Sequence, residues 1–166
     1  MSLTAAAVRD PQTITDNQQF ERILLASEGR QIPDAAIERA LALARGKASV
    51  HVFSIARVHG VAFGIPSPGL LPTRKEWQEQ RDHVARAVKR LERKGLKAEG
   101  HVLGTRNATK KILEEAKLEG CDVIVMAADP DRNRFIGNLL WSQEPQRVRR
   151  RSKLPVVLVV EEDRAR

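Results

Sequence analysis

This chain is poor in cysteine, in aromatic residues and in long apolar runs. It contains one cysteine and no tyrosine in 166 residues, and aromatic residues make up 4% of it. Because Cys121 has no second cysteine, an internal disulfide and a multi-cysteine metal site are excluded, which fits a buried structural thiol in a reducing compartment. With so few aromatic residues, side chains that could stack on the bases of single-stranded nucleic acid are scarce.

No apolar run is long enough to cross a bilayer, and the N-terminus lacks a signal-peptide layout. We therefore expect a soluble cytoplasmic protein without membrane insertion.

The chain has little unbroken charge of one sign despite its net charge of +8. A positive surplus can attract nucleic acid over distance. However, stretches such as 81–94 mix both signs, as a solvated helix face does. Only Arg147, Arg149 to Arg151 and Lys153 form a compact basic cluster, so we interpret this cluster as a solvated face and keep a nucleic-acid-binding module as an alternative.

The length and the 42% hydrophobic content suit one domain with one core. Residues 1–19 are polar without a sustained period, and we predict a disordered tail there. Residues 20–161 are predicted to form the domain, and residues 162–166 a charged C-terminal tail.

Short apolar runs alternate with helical stripes along the predicted domain. The predicted strands cover 23–26, 49–55, 98–103, 123–126 and 156–160, and the predicted helices lie within 33–46, 73–95, 107–120 and 145–150. Thr73 and Glu76 have the spacing of a capping box, Asn107 can cap the third helix, and Gly46 is placed to end the first. This alternation predicts a parallel α/β sheet with right-handed crossovers and helices on both faces.

One connection, residues 57–72, is rich in glycine and proline and yet apolar. It suits a loop that tucks against its own core, or alternatively a lid or a partner contact.

Three segments resemble those of one protein family. They read Ile23-Leu-Leu-Ala-Ser-Glu-Gly29, Asp122-Val-Ile-Val-Met126 and Pro155-Val-Val-Leu-Val-Val160. In this element order they resemble the universal stress protein family over residues 20–161. The resemblance implies a three-layer Rossmann-like sandwich, with a five-stranded parallel sheet in the order 3-2-1-4-5.

The loop after the fourth strand departs from the pattern of the nucleotide-binding members, Gly-x2-Gly-x9-Gly-Ser/Thr. The first two glycines correspond to Ala127 and Pro130, and the final pair falls on Ser142-Gln143 after a spacer of eleven residues. Alanine disfavours positive φ, and proline has no N–H to donate to a phosphate. Asp129 and Asp131 add negative charge, which Arg132 and Arg134 could offset. Ser142 could still cap the next helix and bind an anion there.

The adenine side of such a site is less altered. By resemblance, Ala26, Glu28 and the backbone near Ile55 would line it, with Glu28 in place of the usual aspartate. The alternative is that Glu28 forms a local salt bridge. The candidate nucleotide-binding residues are therefore Ala26, Ser27, Glu28, Ile55, Ala127, Pro130, Arg132, Ser142 and Gln143.

No catalytic group or metal site is predicted. Ser27 lacks the Gly-x-Ser-x-Gly elbow of a nucleophile. None of the histidines, His51, His59, His83 and His101, has metal-ligand spacing to a second ligand, so we interpret His51 and His101 as packed or surface strand residues. Trp141 suits core packing, or else a plug in the volume of an adenine nucleotide.

Three functions remain open from the sequence. The first is a regulatory or protective homodimer without ATP hydrolysis, paired through the last strand with an unknown protein partner; its dimer edge would be Val156, Val157, Leu158, Val159 and Val160. The second is an adenine-nucleotide-binding stress protein with an altered loop, which would bind ATP or AMP and could hydrolyse ATP slowly. The third is the basic nucleic-acid-binding module.

Overall fold

The structure is a computed structural model, and it describes residues 14, 15, 17–58, 71–130 and 143–160. Within these ranges the strands are β1 (Phe20–Ser27), β2 (Ala44–Arg57), β3 (Lys97–Thr105), β4 (Val123–Ala128) and β5 (Val156–Val160). The helices are α1 (Asp34–Leu43), α2 (Arg74–Arg93), α3 (Ala108–Leu118) and α4 (Glu144–Arg151).

The five strands form one parallel sheet in the order β3-β2-β1-β4-β5. Helices α1 and α2 pack on one face and α3 and α4 on the other. The predicted fold class, sheet direction and strand order are therefore confirmed.

The central strand β1 shows why the apolar runs are continuous rather than alternating. Ile23 and Leu25 pack in the core beside α1 and α2, whereas Leu24 and Ala26 pack in the core beside α3 and α4. Successive side chains of a strand point to opposite faces, and here both faces are covered, so every position of the run is buried.

The predicted helix caps form as expected. The Thr73 side chain accepts from the Glu76 N–H, and the Glu76 carboxylate accepts from the Thr73 N–H. Asn107 accepts from the Lys110 N–H at the start of α3. These local bonds satisfy donors that the first helical turn leaves unpaired.

The predicted end of the first helix was wrong. Helix α1 stops at Leu43, and Ala44 is already extended and pairs with Phe20 as the first residue of β2. The register then jumps to Arg22 opposite Ser49, and Gly46 lies in this irregular stretch with φ +53°. Glycine supplies a positive φ in a strand irregularity as readily as after a helix, so the residue alone did not distinguish the two.

Little of the predicted tails can be compared with the structure. Residues 1–13 and 161–166 lie outside the described residues, but Ile14 packs against the core beside α1 and α2. Among the described helices, none combines the length and the apolar character that crossing a membrane requires.

Candidate functional site

The carboxyl ends of β1 and β4 lie side by side at the centre of the sheet. Ala26 is in register with Met126, and the strands end at Ser27 and Ala128. Ligands of open α/β sheets bind beyond the carboxyl ends of the strands, where the strand order reverses. The segments that follow, 28–30 after β1 and 129–130 after β4, therefore form the walls of the candidate site, which we call the β1–β4 crevice.

An arginine of the protein itself joins the two walls of the β1–β4 crevice. The Arg30 guanidinium donates from Nε to Glu28 Oε1 at 2.6 Å, and from both terminal nitrogens to the two Asp129 oxygens at 3.0 Å each. The Glu28 side chain is 1% exposed, that of Asp129 16% and that of Arg30 25%. A planar guanidinium matches a carboxylate in this two-pronged geometry, which makes such pairs strong and directional.

The charge on Arg30 is held by these contacts. Burial opposes the positive charge, but the hydrogen bond to Asp129 and the negative charge of Glu28 more than offset it, so the pKa of Arg30 lies above its ordinary value. The guanidinium therefore stays positively charged beside the two carboxylates.

Further hydrogen bonds fix the turn that contains Glu28 and Arg30. Ser27 Oγ donates to the Arg30 carbonyl at 2.6 Å and accepts from the Gly29 N–H at 3.2 Å. Arg57 Nε donates to the Glu28 carbonyl at 2.7 Å. The turn is thus tied to β1 and β2, and its arginine reaches Asp129 at the end of β4.

Gln80 of α2 ties the same turn to the helix layer. Its side chain accepts from Ser54 Oγ at 2.6 Å and donates to the Gly29 carbonyl at 3.0 Å. Gly29 itself has φ +116°, and a Cβ there would lie 3.0 Å from the Ile55 carbonyl oxygen. Only glycine fits this close approach, which places the turn directly against the end of β2.

The structure brings most of the predicted site residues to one place. Those on the described strands and the adjoining turn are buried, namely Ala26, Ser27, Glu28, Ile55 and Ala127. The Glu28 side chain forms the local salt bridge that the sequence offered as the alternative. Pro130 is partly buried beside Asp129, and Gln143 is the N-cap of α4 without a side-chain capping bond.

Several predictions for the long loop fall on residues that the structure does not describe. Arg132, Arg134, Trp141 and Ser142 lie outside the described residues, as does most of the apolar loop 57–72.

Sequence reasoning missed Arg30. From the sequence, Arg132 and Arg134 of the long loop were expected to offset the negative charge of Asp129. The structure instead pairs Asp129 with Arg30, two residues after Glu28. The available signal was the Glu-x-Arg pattern directly after a buried strand, which places both charges at the crevice.

The basic cluster and the lone thiol have structural explanations. Arg149, Arg150 and Arg151 occupy the last turn of α4, where positive charge is stabilised by the helix dipole, and all three are exposed. Cys121 is buried. Burial, then the negative charge of Glu119, raises the pKa of its thiol to about 12. A thiol that remains protonated is a poor nucleophile and a poor metal ligand.

Comparison with known proteins agrees with the parallel α/β fold described above. A family model described as the universal stress protein family matches residues 19–160. A comparison with curated proteins finds no match.

Solved structures of that family are similar to this chain over more than four fifths of its length. A universal stress protein family member from Burkholderia pseudomallei is 20% identical with a TM-score of 0.61, over 84% of this chain and 95% of that one. A universal stress protein from Archaeoglobus fulgidus in complex with dAMP is 16% identical with a TM-score of 0.55, over 87% and 98%. A universal stress protein solved in complex with cAMP is 19% identical with a TM-score of 0.57, over 86% of this chain and 98% of that one. At these identities the likeness concerns the fold.

Proposed function

Because this chain belongs to the universal stress protein family, we propose that it acts as a cytoplasmic regulatory or protective homodimer that does not hydrolyse ATP. The observation that most directly supports the lack of ATP hydrolysis is the position of Arg30, which joins Glu28 and Asp129 across the β1–β4 crevice. The charged groups of the crevice pair with one another, which favours a function conveyed by the protein's surfaces and not by a bound nucleotide.

The charges argue against a phosphate in the β1–β4 crevice. A phosphate that took the Arg30 guanidinium would displace Asp129, and two carboxylates would then face the incoming negative charge. Two like unit charges about 4 Å apart repel by about 4 kcal/mol at the effective dielectric constant of a protein surface. Pro130 adds no N–H to compensate. Nucleotide binding therefore loses both the cation and a donor.

Thermal unfolding with and without nucleotide tests this part of the proposal. We expect millimolar ATP, ADP or AMP with Mg²⁺ to leave the unfolding midpoint unchanged, because a ligand stabilises the folded state only by binding to it. A midpoint that rises with ATP concentration would overturn the proposal.

A pair of double variants tests the mechanism of exclusion. Glu28→Gln with Asp129→Asn removes two negative charges and frees Arg30 for a phosphate, so this variant should gain binding of ATP in equilibrium dialysis. The matched control, Asp34→Asn with Glu38→Gln, removes the same charge from carboxylates paired with Arg90 on the surface. It should not gain binding. Equal gains in the two variants would mean that only net charge matters.

The proposed dimer uses the outer edge of β5. Among the described residues, β5 pairs only with β4 and has no charged side chain, and Val157, Leu158 and Val159 are only partly buried. The opposite edge strand, β3, contains Lys97 and Glu99. Charged side chains protect a sheet edge from pairing, whereas an apolar edge favours it. The β5 edge is thus the better candidate for pairing with a second copy.

Light scattering at micromolar concentration tests the dimer. The chain should have the mass of a dimer, and Val160→Lys should shift it towards the monomer, because Val160 is 45% exposed at the end of this edge. Leu118→Lys is the matched control, since Leu118 is 78% exposed on α3. A monomeric wild-type chain, or equal dissociation of both variants, would contradict the β5 dimer.

One observation favours the second candidate, an adenine-nucleotide-binding protein. Glu28 Oε2 is buried and has no hydrogen-bond partner among the described residues. A buried carboxylate oxygen of this kind is suited to accept from an amino or hydroxyl group of a ligand. Two proteins of similar fold are universal stress proteins in complex with dAMP and with cAMP, which supports an adenine nucleotide as the class of ligand. Stabilisation by AMP that is lost in Glu28→Gln would support it.

A further inference from the structure

Two histidines and a glutamate converge on the face of the sheet that α3 covers. His51 lies on β2, His101 on β3 and Glu115 on α3. In the β2–β3 register His101 is opposite Phe53, two residues beyond His51, so both imidazoles point to the same face. His51 Nε2 lies 2.8 Å from Glu115 Oε1, and His101 Nδ1 lies 3.0 Å from the same oxygen.

The three ligand atoms are close enough to share one ion. All of them lie within 4.8 Å of one another. The side chain of Glu115 is 8% exposed and that of His51 is 11% exposed, whereas His101 is 49% exposed. The cluster is therefore buried on the side of His51 and Glu115 and open to solvent on the side of His101.

A second and independent feature lies on the other side of the His51 ring. His51 Nδ1 is buried without a hydrogen-bond partner among the described residues. Glu99 Oε1 is 3.9 Å from it, which is too far for a hydrogen bond in the present arrangement. Histidines that bind metal commonly donate their remaining N–H to a carboxylate, and Glu99 is placed for this role.

We propose that His51, His101 and Glu115 form a binding site for a transition-metal dication, specifically Zn²⁺. The ion is bound by His51 Nε2, His101 Nδ1 and a Glu115 oxygen, and water occupies the fourth position on the exposed side. To bind, each imidazole presents a lone pair from the nitrogen that contacts Glu115, His51 Nε2 and His101 Nδ1. The proton of His51 then resides on Nδ1 and faces Glu99, and that of His101 resides on Nε2.

The donor set selects this class of ion. Two imidazole nitrogens and one carboxylate with an open position are typical of Zn²⁺ bound by three protein ligands. Mg²⁺ and Ca²⁺ prefer six or more oxygen ligands, which this cluster does not offer. The site is distinct from the β1–β4 crevice, because His51 is in register with Leu24, within β1, whereas the crevice begins after Ser27.

A second grouping of His51 with Glu99 and Glu119 shares the same imidazole. It has one nitrogen ligand, and Glu99 is 68% exposed. We therefore assign the ion to the grouping with His101, and Glu99 accepts the remaining N–H of His51. Variants of His101, Glu99 and Glu119 distinguish the two groupings.

The test uses the full chain without a histidine tag, stripped of metal with a chelator. Zn²⁺ should bind with a stoichiometry of one in titration calorimetry and should raise the thermal midpoint, because it binds the folded site. Co²⁺ in its place should give the visible absorption of a four-coordinate ion. His101→Gln changes an exposed side chain and should remove both signals, and Glu115→Gln should do the same.

Two further variants set the controls. His83→Gln changes a histidine of α2, on the opposite face of the sheet, and should bind like the wild type. Glu99→Gln should weaken Zn²⁺ binding by about 10- to 100-fold, as expected for a residue that orients a ligand. No Co²⁺ absorption in the wild type, unchanged binding in His101→Gln, or loss of binding in His83→Gln would each overturn the proposal. Binding that survives His101→Gln but not Glu119→Gln would place the ion in the other grouping and would also refute it.

Discussion

Removal of the Arg30 charge should be far more costly than removal of a surface charge. Arg30→Met keeps the apolar stem and deletes the guanidinium, which leaves Glu28 with no charged partner among the described residues. The Glu28 side chain is only 1% exposed, and loss of one member of a buried pair costs about 3–5 kcal/mol. Because Arg30 is 25% exposed, water can reach part of the site, and we expect the lower end of that range, about 3 kcal/mol.

Lys75→Met provides the matched comparison. Lys75 pairs with Glu79 at 4.0 Å, and the two side chains are 85% and 52% exposed. Such a pair contributes about 0–1 kcal/mol. Urea denaturation followed by circular dichroism would give the free energy of unfolding of both variants, provided that the slope with denaturant is unchanged.

A double variant shows where the cost arises. If the loss in Arg30→Met comes from the stranded Glu28 carboxylate, then adding Glu28→Gln should restore part of the stability, with a coupling energy of about 0.5–3 kcal/mol. Equal destabilisation by Arg30→Met and Lys75→Met would refute the reasoning, since the ion pairs of the β1–β4 crevice would then be no stronger than a solvated pair. Strictly additive effects of Arg30→Met and Glu28→Gln would refute it too.

Three other substitutions have outcomes fixed by local geometry. Gly100→Ala should lower the free energy of unfolding by about 1–3 kcal/mol, because a Cβ there would overlap Val84 of α2; an unchanged denaturation midpoint would contradict this. Burial raises the pKa of Cys121 from an ordinary 9.0 to about 12, so the unfolded thiol ionises first and the wild type should lose stability, relative to Cys121→Ala, as pH rises above about 9. If the free energy of unfolding changed with pH in the same way for both proteins, burial would not raise the pKa of the Cys121 thiol. Thr73→Ala should cost about 1 kcal/mol through loss of the capping box with Glu76, and thermal unfolding that is no different from wild type would count against that cap.

Much of the fold was predictable because its signals are local. The buried runs that became β1, β4 and β5 are visible as short apolar segments, and the cap residues Thr73 and Asn107 act on donors within three positions along the chain. Such signals depend on backbone sterics and on nearby hydrogen bonds, which neighbouring residues determine. Gly46 shows the limit, because a positive φ suits both a helix end and a strand irregularity.

The candidate site was predictable only in part. The apolar run that ends at Ala26 is visible in the sequence, and so is the acidic Glu28 two residues later; the structure buries both. The partner of Glu28 was not identified, because the pairing of Arg30 with Asp129 joins residues that are 99 positions apart. That contact exists only because β1 and β4 are neighbours in the sheet.

By itself, the sequence determined the α/β class and the order of elements, because hydrophobic periodicity and residue type encode these directly. Only the tertiary structure decided which distant side chains meet. It placed Arg30 between two carboxylates, and it gathered His51, His101 and Glu115 from two strands and a helix. The physical reason is that strand order and register, set by the packing of the whole core, determine which side chains share a face and come within bonding distance.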